Sequence, residues 1–436
     1  MMGGHFAGRV FTCFKLAHRG AGEAKRLKRR KTYLLAGTIL AVVAAAAAWG
    51  FTLWHSGQPV DPMLIAQSKP VSAAVNDMGR KMVADLSAQL PQQNVFISPL
   101  SIFMALGMTE SGAGGTTRDT MRQTLIVPQD LSDDQLRSSA AALLNVLQAE
   151  RGAELSIANA LWSDHSLPMS PDFVKQCRRF YQADATMLDF QQPSAAAAEI
   201  NQWVRKKTHD KISDLISPDA LASSHGVLTN AVYFHGKWAY QFPKDETRAE
   251  SFYLAGGGEK QVQMMHQSSI PGAYRRGDGF EAAALDYKSS HMRFYAILPS
   301  QGNTPEQVLA KISIEQLKES VPSEIKLDLR LPRFTLDYKE ELKDSLSRMG
   351  MASAFQPGAD FAPMGSHGFF IGSVIHKTRL EVDEEGTTAA AATAVNMLTS
   401  VPRVQTLVFN RPFALLLCDT QTNAILFAGV VYEPGP

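Results

Sequence analysis

The stretch Glu384-Glu385-Gly386-Thr387-Thr388-Ala389-Ala390-Ala391-Ala392-Thr393-Ala394-Val395 is followed by no charge until Arg403. Alanine has the best helix propensity, so local preference favours a helix here. A charge-free helix of such small side chains has little to bury and no polar face to keep it soluble. A segment that is exposed in one state and slides into a crowded sheet in another explains the composition better. Side chains alternate faces along a strand, so one face would carry Thr387, Ala389, Ala391, Thr393, Val395, Met397 and Thr399. None of them is charged, and that face can be buried without an unpaired charge.

The rest of the chain is ordinary globular material. Of 436 residues, 45% are hydrophobic and 19% charged, enough for a large core. Length alone allows two or three domains of ~150 residues. No linker-like composition divides the chain after residue 70, so one unit over 71–434 is expected. A formal net charge of +1 gives no electrostatic case for nucleic acid. Cys13 precedes an apolar segment, which leaves Cys177 and Cys418 as buried free thiols. No metal-ligand spacing is present.

The N-terminus is a separate physical object. Residues 1–32 end in the basic cluster Lys25-Arg26-Leu27-Lys28-Arg29-Arg30-Lys31, and residues 33–54 are uncharged. At about 1.5 Å per residue, such a span crosses a ~30 Å hydrocarbon core. Trp49 and Trp54 suit the far interface, and the basic cluster belongs on the cytoplasmic side. The segment reads as a retained signal anchor; a cleaved signal peptide, with Ala44 to Ala48 near its cleavage site, is the alternative. Either way the bulk of the chain is expected outside the cytoplasm, in the cell envelope or secreted. Pro59, Pro62 and Pro70 make residues 55–70 read as a short tether.

Beyond the tether, Met78, Met82, Val83, Leu86 and Leu90 recur at helical spacing. Val95 to Ile97 is a short strand ending at Ser98-Pro99, an N-cap serine with proline at the first helical position. Thr116 with Asp119 is similar to a capping box. Leu155, Ile157, Asn159 and Leu161 alternate as a strand, and Ile200, Trp203, Val204 and Lys207 give a helix with one apolar stripe. Leu228 to Phe234 and Arg293 to Leu298 read as strands, Gly256 to Gly258 as a hairpin turn, and Glu341 to Met349 as a helix. Strands and helices mix without regular alternation, which predicts an α+β fold.

Motifs for catalysis are missing. There is no Gly-x-Ser-x-Gly and no His-Glu-x-x-His. Gly112 to Thr117 is glycine-rich but lacks the phosphate-loop lysine, so it reads as a helix break. His376 in Val374-Ile375-His376-Lys377 reads as a hydrogen-bonded core histidine, and Trp238 as core packing. No catalytic residue, metal or cofactor is expected.

Several motifs stand in one order: Asn94-Val95-Phe96-Ile97-Ser98-Pro99-Leu100-Ser101, Ile200-Asn201-Gln202-Trp203-Val204, Asn230 to Trp238, Leu331-Pro332-Arg333-Phe334, Phe409-Asn410-Arg411-Pro412-Phe413 and Phe427-Ala428-Gly429. With the hinge Glu384 to Ala392, this set resembles the serpin family over roughly residues 70–434, in its bacterial-type inhibitory form. The resemblance implies three β-sheets, eight or nine helices and an exposed reactive loop. It implies a monomeric suicide substrate that forms a covalent acyl complex with a target serine protease. It also implies a polar cluster of Ser98, Ser101, Asn230 and His376 beneath the opening of the main sheet, with Trp238 where the loop first enters. Glycosaminoglycan-activated members carry a basic helix where this chain has Gln129-Asp130-Leu131-Ser132-Asp133-Asp134, so no such partner is expected.

In inhibitory members the loop typically spans as many residues as lie from Glu384 to Ser400, 17 in this chain, which places the scissile bond at Ser400–Val401. Counting back from Phe409 points to Val401 instead, but a bond before Pro402 is a poor protease substrate. Met397, Leu398 and Thr399 suit elastase-like or subtilisin-like enzymes, and Arg403 offers a trypsin-like alternative. A non-inhibitory serpin acting as a binding or chaperone module is the other reading of the whole chain.

Overall fold

The computed structural model describes residues 60–150, 152–222, 224–319, 325–365, 367–386 and 403–435. These belong to one unit that begins at Val60. Residues 1–32 and the apolar 33–54 lie outside the described residues. No helix among the described residues is long and apolar enough to cross a membrane.

Three sheets organise the unit. The five-stranded sheet runs β11 (Phe334–Glu341), β12 (Ser373–Val382), β4 (Gly226–Gly236), β2 (Ala153–Asp164), β3 (Asp184–Leu188). The six-stranded sheet runs β1 (Val95–Ile97), β15 (Ile425–Val431), β14 (Phe413–Asp419), β9 (Met292–Pro299), β8 (Phe280–Asp286), β7 (Tyr274–Gly277). The four-stranded sheet runs β13 (Arg403–Val408), β10 (Ile325–Pro332), β6 (Glu259–Pro271), β5 (Arg248–Tyr253). Strands β14 and β15 are buried along their whole length, which is why their sequences are continuous apolar runs rather than alternating ones.

The centre of the five-stranded sheet is unusual in direction. β12 and β4 are parallel over eight register pairs, from Ser373–Val227 to Leu380–Phe234. Their outer neighbours, β11 beside β12 and β2 beside β4, are antiparallel to them. On one face lies α2 (Pro99–Glu110), whose every residue is buried. On the other lies α4 (Pro193–Lys207), whose Val204 and Trp203 pack against Ala158, Ala231 and Tyr233 of the sheet.

The α+β class and the three sheets stand as expected. Ten segments are α-helical among the described residues, more than the eight or nine expected, because single turns such as Asp219–Ala222 and Lys343–Leu346 are counted with the long ones. Over Glu341 to Met349 the helical reading holds only in part. β11 extends through Glu341, and a short helix then widens at Ser347–Met351, where Gly350 takes φ +117°.

Two other readings are corrected. Residues 55–70 are not a tether throughout, because α1 (Pro62–Gln89) begins at Pro62. Asp61 caps it by accepting from the Met63 N–H, and Pro62 fills the first turn, where no donor is needed. Pro70 stands inside the helix and forgoes one backbone bond. The buried positions Ser68, Val71 and Ser72 lie on either side of it, so tertiary packing overrides the local break. The Thr116–Asp119 capping box is also absent. Gly114 is the N-cap of α3 (Gly115–Thr124), and no side chain caps the helix. A Cβ at Gly114 would meet the Asp360 carboxylate at 2.5 Å.

α1 is fastened to the β14–β15 turn by Asn76. Its amide nitrogen donates to the Asn423 carbonyl at 2.8 Å, and its oxygen accepts from the Ile425 N–H at 2.8 Å. Asn76→Ala should leave both backbone groups unpaired and cost about 2 kcal/mol. Urea denaturation checks this; a loss below about 0.5 kcal/mol would show that the pair of bonds contributes nothing net.

Candidate functional site

A polar row crosses the middle of the five-stranded sheet. Asn159 on β2 stands opposite Asn230 on β4, and Asn230 stands opposite His376 on β12. The first turn of α2 lies against this row because Ser98 is its N-cap, with the Ser98 hydroxyl accepting from the Ser101 N–H at 3.3 Å. All five side chains are buried.

Their hydrogen bonds close on one another. The Ser98 N–H donates to His376 Nε2 at 3.1 Å. That nitrogen must therefore be unprotonated, and the proton sits on Nδ1, which donates to Asn230 Oδ1. The Asn230 amide donates to Asn159 Oδ1 at 2.5 Å and to the Ser101 hydroxyl. Ser101 in turn donates to Asn159 Oδ1 at 2.9 Å, and Asn159 donates back to the Ser101 carbonyl at 3.2 Å. Burial away from water pushes the His376 pKa down to about 3, so the ring is neutral. The structure thus brings Ser98, Ser101, Asn230 and His376 together. Asn159 is a fifth member that sequence reading took only as a strand residue. The available signal was a polar side chain on an otherwise apolar strand face.

The chain leaves β12 at Val382 and is held at once. Asp383 Oδ1 accepts from the Glu385 and Gly386 N–H groups at 3.0 and 2.9 Å. The Asp383 carbonyl accepts from Trp238 Nε1 at 2.9 Å. Glu384 is buried rather than solvated. Thr247 donates to it at 2.8 Å, and the Arg333 guanidinium lies 3.5 Å away. Glu385 pairs with Lys244, and its carbonyl accepts from Gln241 at 3.0 Å. Gly386 takes φ +43°, and a Cβ there would stand 2.5 Å from the Trp238 backbone nitrogen. Trp238 itself stacks on Tyr287 at 4.5 Å and meets Phe294 edge-on at 5.7 Å. Trp238 is therefore core packing and also the contact point for the start of the loop.

Thr387, Thr388, Ala389 to Ala392, Met397, Leu398, Thr399, Ser400 and Val401 lie outside the described residues. Arg403 does not belong with them. It opens β13, where it stands in register with Ile325 of β10. β13 is an edge strand, and Arg403 is exposed at its start. Cys177 and Cys418 are buried and free, and burial raises the Cys177 thiol to about 12. No group of three or more candidate ligands that could hold a metal occurs among the described residues.

The arrangement is a closed polar network across a strand seam. α2 bridges the seam, with Ser98 bonded to β12 and Ser101 bonded toward β4 and β2. A family model described as Serpin (serine protease inhibitor) matches residues 73–434. An uncharacterized serpin-like protein of Thermococcus kodakarensis is 34% identical over 385 residues, covering 86% of this chain and 88% of that protein. A serine protease inhibitor of Rattus norvegicus is 31% identical over 408 residues, covering 92% of this chain and 98% of that one. The corticosteroid-binding globulin of Ovis aries is 32% identical over 365 residues, covering 82% and 84%. Among solved structures, human glycosylated kallistatin matches with a TM-score of 0.74 at 28% identity, covering 85% of this chain and 99% of that one. The chain belongs to the serpin family.

Proposed function

We propose that this serpin inhibits serine proteases as a suicide substrate, through the segment that joins Gly386 to Arg403. The parallel pairing of β4 and β12 carries the reading. A segment that doubles back from Val382 runs antiparallel to β12. It also runs antiparallel to β4, because β4 is parallel to β12. Inserted between them, it replaces one parallel ladder with two antiparallel ones, which are slightly more stable per residue. The uncharged face from Thr387 to Thr399 suits that burial.

In this reading the protease's own serine attacks the Ser400 carbonyl, the bond to Val401 breaks, and the amine leaves. The acyl-enzyme rides on the inserting loop and is distorted before water can release it. No residue of this chain is a catalyst. Met397, Leu398 and Thr399 favour elastase-like or subtilisin-like targets. Ser98, Ser101, Asn230 and His376, with Asn159, latch the seam, and Trp238 marks where insertion starts. The likeness to corticosteroid-binding globulin keeps a non-inhibitory binding module as the second reading, and the small uncharged hinge weighs against it.

With an elastase-like or subtilisin-like protease, a complex stable to SDS should form. Thr387→Arg should convert the protein into a substrate, because burying an unpaired charge costs several kcal/mol and slows insertion. The ratio of complex to cleaved chain on a denaturing gel reads this. An unchanged ratio would remove Thr387 from the insertion step, and no complex with any such protease would sink the inhibitory reading.

Cleavage within the loop should raise the Tm, because an inserted strand gains ladder bonds on both edges. Melting before and after nicking by a non-target protease decides it. Equal midpoints favour the binding module.

His376 sets a pH dependence. Its folded pKa of about 3 lies below the ordinary 6.5. The stability from keeping the ring neutral is therefore complete above about pH 6.5 and is lost as pH falls toward 3. The loss is up to about 1.4 kcal/mol per pH unit. Between about pH 6.5 and pH 5 the wild type should lose roughly 1–2 kcal/mol more than His376→Gln. Parallel urea titrations at each pH read this difference. Equal slopes would show that the ring is not held neutral.

A further inference from the structure

The four-stranded sheet holds a cluster that neither the seam nor the hinge uses. His266 on β6 lies between two carboxylates. Its Nδ1 is 2.8 Å from Glu246 Oε2, and its Nε2 is 2.7 Å from Asp328 Oδ1. An ionised carboxylate only accepts, so both bonds exist together only while both ring nitrogens carry protons. Asp328 lies on β10, and its other oxygen accepts from the Thr406 hydroxyl at 3.1 Å. Thr406 lies on β13, an edge strand whose one ladder is with β10.

Glu246 ends the turn Lys244–Glu246. Lys244 of that turn pairs with Glu385, and the next residue, Thr247, donates to Glu384. One imidazole therefore joins the turn that holds the near end of the loop to the strand that holds its far end.

The charges around the ring leave this role to it. Arg330, the cross-strand neighbour of His266, is engaged with Glu250 at 3.1 Å. Arg248 on β5 donates to the carbonyls of Asp245 and Thr247. Among the described residues no other cation pairs with Glu246 or Asp328.

We propose that His266 is a proton-operated clamp on β13, closed when the imidazole carries both protons and loosened when it loses one. Loss of a proton leaves a ring nitrogen lone pair facing a carboxylate oxygen, and one of the two bonds becomes repulsive. The proton lost is the one on Nε2, so that Asp328 turns away and its bond to Thr406 weakens with it.

Hydrogen exchange of the full chain tests the clamp without any protease. The probe is the protection of Arg403–Val408, compared with Phe413–Asp419 and corrected for intrinsic exchange, at about pH 5.5 and about pH 8.5, on either side of the range where imidazoles titrate. Wild type should lose protection of β13 several-fold at the higher pH. His266→Gln should show the weaker protection at both. Thr406→Val, which keeps the histidine and both carboxylates, should also abolish the change. A wild type without the pH change, or a His266→Gln profile that matches wild type, overturns the clamp. Should His266→Gln fail to fold, an unaltered wild-type profile in Thr406→Val overturns it. None of these outcomes depends on whether the protein inhibits a protease, so the clamp and the inhibitory reading fail separately.

Discussion

The hydrogen bond from the neutral His376 ring to the Asn230 side chain spans the central parallel junction of the main sheet, where the inhibitory reading needs it to part. On either side of it the sheet is antiparallel: eleven register pairs join β2 to β4, and eight join β11 to β12, as many as cross the seam. A parallel ladder is the weaker kind, and this one is pinned by buried polar groups rather than by apolar packing alone. Each such bond contributes only about 1 kcal/mol net, yet a buried group left without its partner costs about 1–3 kcal/mol. The seam is therefore easy to exchange for another set of partners and hard simply to break. That asymmetry is what a sheet needs if it is to stay closed alone and open for an incoming strand.

The same logic governs the start of the loop. Glu384, Glu385 and Gly386 are held by hydrogen bonds and ion pairs, to Thr247, Arg333, Lys244, Gln241 and the Asp383 side chain. A neighbouring strand can take over backbone partners one at a time, so such a hold can be unzipped from one end. Gly386 makes the turn possible, since no side chain fits against Trp238 at that backbone angle. The two acids and the glycine therefore have separate physical reasons: the acids anchor and the glycine turns.

The strands that bury both faces and the Ser98-Pro99 helix start were legible because each is a local pattern with a local cause. The polar row was not legible from spacing. Residues 98, 101, 159, 230 and 376 meet only through the strand order, and four of them were placed by family resemblance. Asn159 lacked that help and was passed over, although its place on an apolar strand face carried the signal. Pro62 and Pro70 misled because proline was read as a breaker, whereas the first belongs in an opening turn and the second is carried by buried neighbours. Arg403 carries the charge of a trypsin-like target, but its place at the start of β13 was not legible from the sequence.

The two ends of the loop belong to different sheets, and this constrains the inhibitory reading more than any single contact. The near end continues from β12 in the five-stranded sheet, and the far end enters β13 in the four-stranded one. While the chain is intact, the inserting segment is tethered at both ends, and β13 limits how far it can travel. The barrier to full insertion is then covalent connectivity, not a lack of driving force. In the inhibitory reading, cutting Ser400–Val401 would remove that tether and leave the near segment free to add its residues to the seam. A protease making that cut would then release the transition that carries it away, with the energy drawn from ladder bonds that the uncut chain does not make.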